Sequence, residues 1–144
     1  MQKNSLELAR EIIMFLSDNP SVSGYEHRLA PFLDRIFSIY DVEISSDFIG
    51  NYYIRKKGLA SDQKIMLAAH LDEIGLMITY INTKGFLHFT TVGGIDERTL
   101  LNQGVIVHGK KDIKGIICSN SSPKSVTGNK KSIELADLII DIGY

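Results

Sequence analysis

Hydrophobic and polar positions follow two different periods along the chain, and the change from one to the other divides it. Leu6, Leu8, Ile12, Phe15 and Leu16 recur at helical spacing, which predicts an amphipathic first helix. It ends at Asp18-Asn19-Pro20, because proline cannot continue a helix. Ser23-Gly24-Tyr25-Glu26 has the Ser-to-Glu spacing of a capping box, in which each side chain satisfies a free backbone N–H at a helix start. The helix it opens carries Leu29, Phe32, Leu33, Ile36 and Phe37 on one side. Pro31 falls inside that pattern and predicts a kink or a late start to the regular helix.

Beyond Tyr40 the pattern alternates. Val42 to Ser46 and Tyr52 to Lys57 read as two strands, joined by Asp47-Phe48-Ile49-Gly50-Asn51, where the Gly-Asn pair tolerates positive φ. Lys64 to His70 is a continuous apolar run, which suits a strand buried on both faces of a helix-covered sheet. From Ile74 short β-like segments follow at close spacing: Gly75–Ile81, Phe86–Thr91, Gly104–His108, Ile113–Cys118 and Leu138–Ile142. No helix of any length interrupts them, which is the pattern of a small barrel or sandwich. A domain boundary is therefore expected close to residues 73–75, without a flexible linker. Ser119 to Lys131 is polar and turn-rich and reads as an exposed loop.

Composition narrows the function classes. With 44% hydrophobic and 23% charged residues, the chain has the mix of a soluble globular protein. Its net charge of −1 and dispersed basic residues argue against nucleic acid or an anionic membrane as partner. No window approaches the ~18 uninterrupted apolar residues of a membrane helix. The N-terminal apolar stretch carries charges and lacks a signal-peptide pattern, which suggests a cytoplasmic protein. The single cysteine, Cys118, suits a reducing compartment and reads as a small buried hydrophobe.

The most informative stretch is Ala68-Ala69-His70-Leu71-Asp72-Glu73-Ile74-Gly75. A histidine at the C-terminal end of a buried strand sits where open α/β sheets place their ligands. Asp72 could accept the second N–H of that imidazole, fixing the tautomer of a metal-bound nitrogen. On spacing alone, a strand-end histidine bonded to a local turn carboxylate is the better reading. His27, His88 and His108 lie in patterns that place them on solvated or strand-end positions, so they read as structural. Gly93-Gly94 reads as a β-turn, since neither Lys-Ser/Thr nor a capped helix follows it.

Taken in order, the motifs resemble the glutamyl aminopeptidase family of tetrahedral (TET) and deblocking aminopeptidases, some members of which are called cellulase or endoglucanase. Ser23-Gly24-Tyr25-Glu26 looks like that family's SGxE, and Asp47 with Gly50-Asn51 like its D-x-x-G-N turn, ahead of the basic Arg55-Lys56-Lys57-Gly58. Ala69-His70-Leu71-Asp72-Glu73-Ile74-Gly75 resembles AHxDEIG, and Val92-Gly93-Gly94-Ile95-Asp96 resembles GGxD. Gln103-Gly104-Val105 and Asp141-Ile142-Gly143 close the series. At Ser122-Pro123-Lys124-Ser125 the chain departs from the Pro-Pro-His of many relatives.

The resemblance implies the N-terminal part of a zinc-peptidase-like α/β/α catalytic domain over residues 1–73. A β-rich, barrel-like dimerisation domain would follow over 74–144, truncated before its end. It implies that His70 ligates one metal of a co-catalytic pair, zinc or cobalt, and that Asp72 serves catalysis by orienting that histidine. Peptides would be the substrates, and dimers assembling into a dodecamer the quaternary form. The family's other metal ligands and its catalytic glutamate lie beyond the dimerisation domain, so this chain alone is expected to hold no metal pair and to be inactive. Exposed strand edges and apolar faces would then favour self-association. The competing reading is a non-catalytic oligomerisation module derived from the same family. A glycoside hydrolase fits poorly: no pair of carboxylates is marked out for it, and tryptophan is absent.

Overall fold

The computed structural model describes residues 4–59, 62–120 and 133–143. They divide into two compact units, Met1–Glu73 and Ile74–Tyr144. Most of the expected loop at Ser119–Lys131, and the departure at Ser122–Ser125, lie outside the described residues.

In the first unit, helix α1 spans Ser5–Asp18 and helix α2 spans Ala30–Phe37. A capping box does form, but at the start of α1. The Asn4 side chain accepts from Leu6 N–H at 2.7 Å, and Glu7 reaches back to Asn4 N–H at 3.1 Å. The one expected at Ser23–Glu26 is absent: the Ser23 hydroxyl is taken by a distant carboxylate, and Glu26 accepts from Gly24 N–H at 2.9 Å. Pro31 acts as the sequence predicts. One 3-10 turn, Glu26–Leu29, precedes the regular helix, and proline falls in the first turn of α2, where no hydrogen bond is lost.

Leu29, Phe32 and Ile36 are the buried apolar residues of this unit. Phe15 of α1 stacks on Phe32 of α2 with ring centroids 3.6 Å apart, and Glu11 pairs with Arg35 at 3.5 Å. Strands β1 (Glu43–Ser46) and β2 (Tyr52–Arg55) pair antiparallel, and the turn between them has Gly50 at φ 96°. The Tyr52 hydroxyl donates to Asp34, tying this hairpin to α2. Burial and that carboxylate push the Tyr52 phenol up to about 12.

Lys64–His70 differs from expectation. It joins no ladder, and Ile65, Met66 and Leu67 are 91%, 87% and 94% exposed. A strand is buried on both faces only when neighbours flank and cover it, and among the described residues none does.

Among the described residues of the second unit, five strands form one antiparallel sheet. Strands β3 (Gly75–Ile81), β4 (Leu87–Val92), β5 (Gly104–Val107), β6 (Ile113–Ser119) and β7 (Leu138–Asp141) lie in the order β3-β4-β7-β6-β5. All five overlap the short β-like segments expected from the sequence, with ends differing by a residue or so. The β3–β4 hairpin turns on Asn82, whose side chain accepts from Lys84 and Phe86 N–H. Leu87, Phe89, Leu100, Ile117, Leu138 and Ile140 form the core cluster. Gly115 on β6 is fixed by close approach, since a Cβ there would stand 2.7 Å from Ile140 Cγ2 and 3.1 Å from the Asp141 carbonyl. Gly115→Ala is expected to destabilise this unit by about 1–3 kcal/mol, the cost of overpacking a filled core; chemical denaturation would read it.

Candidate functional site

The site is a corner at the end of the first unit. A turn closes with Tyr25 N–H donating to Val22 C=O at 2.8 Å, and Gly24 at φ 90° supplies the positive φ its third position requires. That turn presents Ser23. Three links join its segment to the residues after His70. Ser21 N–H donates to Glu73 Oε1 at 3.1 Å, Glu73 N–H donates to Ser21 C=O at 2.9 Å, and the Ser23 hydroxyl donates to Asp72 Oδ2. Val22 and Glu73 form an isolated parallel bridge between them.

His70 Nδ1 lies 2.8 Å from the Asp72 carbonyl and 3.2 Å from Asp72 Oδ1. Both are acceptors, so Nδ1 carries the proton of the neutral ring and Nε2 keeps its lone pair. The His70 side chain is 86% exposed, so that nitrogen is open to solvent. The Ser23 hydroxyl is the chief influence holding the Asp72 carboxyl below its usual range, with His70 contributing less. Sequence reasoning singled out His70 and Asp72, and the structure brings them together. It missed Ser23, whose partner lies 49 residues away and whose local spacing suggested a cap.

A groove of about 360 Å³ adjoins this corner, lined among others by Glu26, His27, Leu33, Asp47, Phe48 and Leu71. The Asp47 carboxylate is occupied by its own turn, accepting from Ile49 and Asn51 N–H, the Asn51 amide and the Tyr53 hydroxyl. The Asn51 side chain leads the effects that hold it below its usual range.

The remaining histidines are placed as structural residues. His27 is exposed. His88, between buried Leu87 and Phe89, stacks on Tyr80 at 4.2 Å, and His108 pairs with Asp112 at 2.9 Å. Cys118 is half-buried, and desolvation raises its thiol above the usual value, the opposite of an activated nucleophile.

An imidazole with Nε2 unprotonated fits a divalent cation as a single ligand. A catalytic site needs about three protein ligands. Among the described residues no group of three His, Cys, Asp or Glu side chains gathers to hold one.

The M42 glutamyl aminopeptidase family matches residues 50–144. The chain belongs to that family. It is 31% identical over 142 residues to the lysyl aminopeptidase of Pyrococcus furiosus, an alignment covering 95% of this chain and 39% of that protein. The TET aminopeptidase of a marine sediment Thaumarchaeota archaeon matches its structure with a TM-score of 0.86 at 29% identity, over 97% of this chain and 39% of that one. Pyrococcus horikoshii TET1 peptidase, which can assemble into a tetrahedron or a large octahedral shell, matches at 0.76 and 34% identity, over 97% and 41%. The chain thus spans about two fifths of the length of these relatives. Its mixed helix-and-strand architecture is that of TET aminopeptidases.

Asp96, in the segment resembling GGxD, forms a two-pronged pair with Arg98 at 2.6 and 2.9 Å, and these bonds hold its carboxyl at about 2 against an ordinary 3.8. A folded-state value below the unfolded one means stability that is present above the unfolded value and lost on acidification. The contribution is therefore expected to fade between about pH 4 and pH 2, and to be small because the pair is exposed. Asp96→Asn should flatten that part of the acid-unfolding profile; an unchanged profile would show that the pair contributes nothing.

Proposed function

We propose that this chain supplies one part of the site of a metallo-aminopeptidase that removes N-terminal residues from peptides. The observation that carries this is the His70–Asp72 pair, with Nδ1 held by acceptors and Nε2 outward, inside the segment of an M42 family member. In this reading His70 Nε2 is a ligand to one of two divalent cations, zinc or cobalt, and Asp72 orients it. When bound, the metal pair would supply Lewis acidity toward water and the scissile carbonyl. The other ligands and the proton-shuttling glutamate have to come from outside the described residues, so activity is not expected of this chain by itself. A cytoplasmic setting accords with a single cysteine and no need of disulfides.

The test is metal content and turnover of an aminoacyl substrate by the purified chain with added zinc or cobalt. The expected result is neither stoichiometric metal nor turnover. Both together would overturn the division of the site proposed here.

A homo-oligomer is the second part of the proposal, with residues 74–144 as its dimerisation domain and 1–73 as the catalytic part. It is supported by β3, an edge strand on which Met77, Ile78, Tyr80 and Ile81 are all exposed, and by the assemblies of the TET peptidases it resembles. Apolar edge strands favour association. This also keeps the non-catalytic reading in view, since association requires no metal. Light scattering is expected to give a mass above the monomer for the parent, with Ile81→Lys shifted toward the monomer. A monomeric parent would remove this part.

A further inference from the structure

Ser23 was expected to cap a helix, and it does not: no side chain caps the 3-10 turn that follows it. Its hydroxyl crosses instead to Asp72 Oδ2, while the other oxygen of that carboxylate and the Asp72 carbonyl face His70 Nδ1. A carboxylate on a short side chain is free to rotate about its last bond, and one hydrogen bond to each oxygen removes that freedom. We infer that Ser23 is a positioning residue for His70, holding the Asp72 carboxylate in the orientation that keeps the imidazole proton on Nδ1 and leaves Nε2 as the outward donor nitrogen.

Geometry on both sides of Ser23 agrees with this role. Its turn requires positive φ at Gly24, yet a Cβ at that position would meet nothing within 4 Å, so the demand there is on backbone conformation alone. The same segment is held on its other side by the reciprocal bonds between Ser21 and Glu73. The hydroxyl is thus delivered from a backbone fixed at two points. Ser23, Asp72 and His70 form a chain of donor to acceptor and donor to acceptor that ends at a nitrogen lone pair.

The inference concerns the ring's tautomer. Its use as a metal ligand rests on the aminopeptidase reading. The tautomer is measurable without metal by long-range proton–nitrogen spectra of the labelled, metal-free chain in mildly alkaline buffer, with His70→Gln assigning the signals. The parent ring is expected mainly as the Nδ1–H form. Ser23→Ala should move the tautomer ratio measurably toward Nε2–H, by less than the roughly tenfold of one whole hydrogen bond because the Asp72 carbonyl still accepts from Nδ1, and Ser23→Thr should restore the parental ratio. Parental ring signals in Ser23→Ala, with the amide spectrum otherwise intact, would overturn the inference. Should the alanine variant not fold, Ser23→Cys takes its place. The weakly donating thiol should give an intermediate shift, and parental signals there would equally overturn the role. Such a failure would leave the aminopeptidase reading standing, while a failed metal test would leave the tautomer result untouched.

Discussion

Hydrogen bonds between residues 21–23 and 72–73 close a loop of about fifty residues, and the placing of Ser23 against Asp72 depends on that closure. The loop holds α2 and the β1–β2 hairpin, yet its two ends are joined by only a few polar contacts. Bringing such ends together costs entropy that grows slowly with length, so a small number of well-made bonds is enough. Two of them are reciprocal between Ser21 and Glu73, so neither residue can drift without breaking both. The corner that results is mostly polar and exposed, while the buried apolar residues of this unit lie in the turn and helix over 26–37. Position at the site is set by directional bonds and not by close packing.

The second unit follows the opposite rule. Its order comes from packed apolar side chains, with Ile117 completely buried and β7 buried along Leu138, Ile139 and Ile140. Gly115 shows how closely the strands approach, since even a methyl group would meet Ile140. Polar bonds here act at the margins, as where Glu97 receives Leu135 N–H at 2.9 Å ahead of β7.

How much was legible in the sequence follows from the same contrast. The five strands of the second unit were readable as short β-like segments at close spacing; Leu87, His88 and Phe89 alternate, whereas Leu138, Ile139 and Ile140 are all buried. The helices were readable from their apolar spacing, and Pro31 marked the delayed start of α2. The contact between His70 and Asp72 was legible because the two lie close together in one motif. Ser23 was not, because the carboxylate that takes its hydroxyl is far along the chain and the local Ser-to-Glu spacing offered a plausible competitor. The run from Lys64 to His70 was misread for a related reason. Apolar composition tells what a segment can bury and not whether a neighbour is there to cover it, and Ile65, Met66 and Leu67 stand exposed.

One consequence follows from the position of β7. Among the described strands it is the last in sequence and yet the central one, paired with β4 on one side and β6 on the other. During synthesis the β3–β4 and β5–β6 hairpins can each close as soon as they leave the ribosome. Nothing joins them into a sheet until Leu138–Asp141 arrives. Until then both present apolar faces and unpaired backbone, the state in which nascent chains are most exposed to misassembly. Among the described strands, the one made last is thus the one that joins the two hairpins.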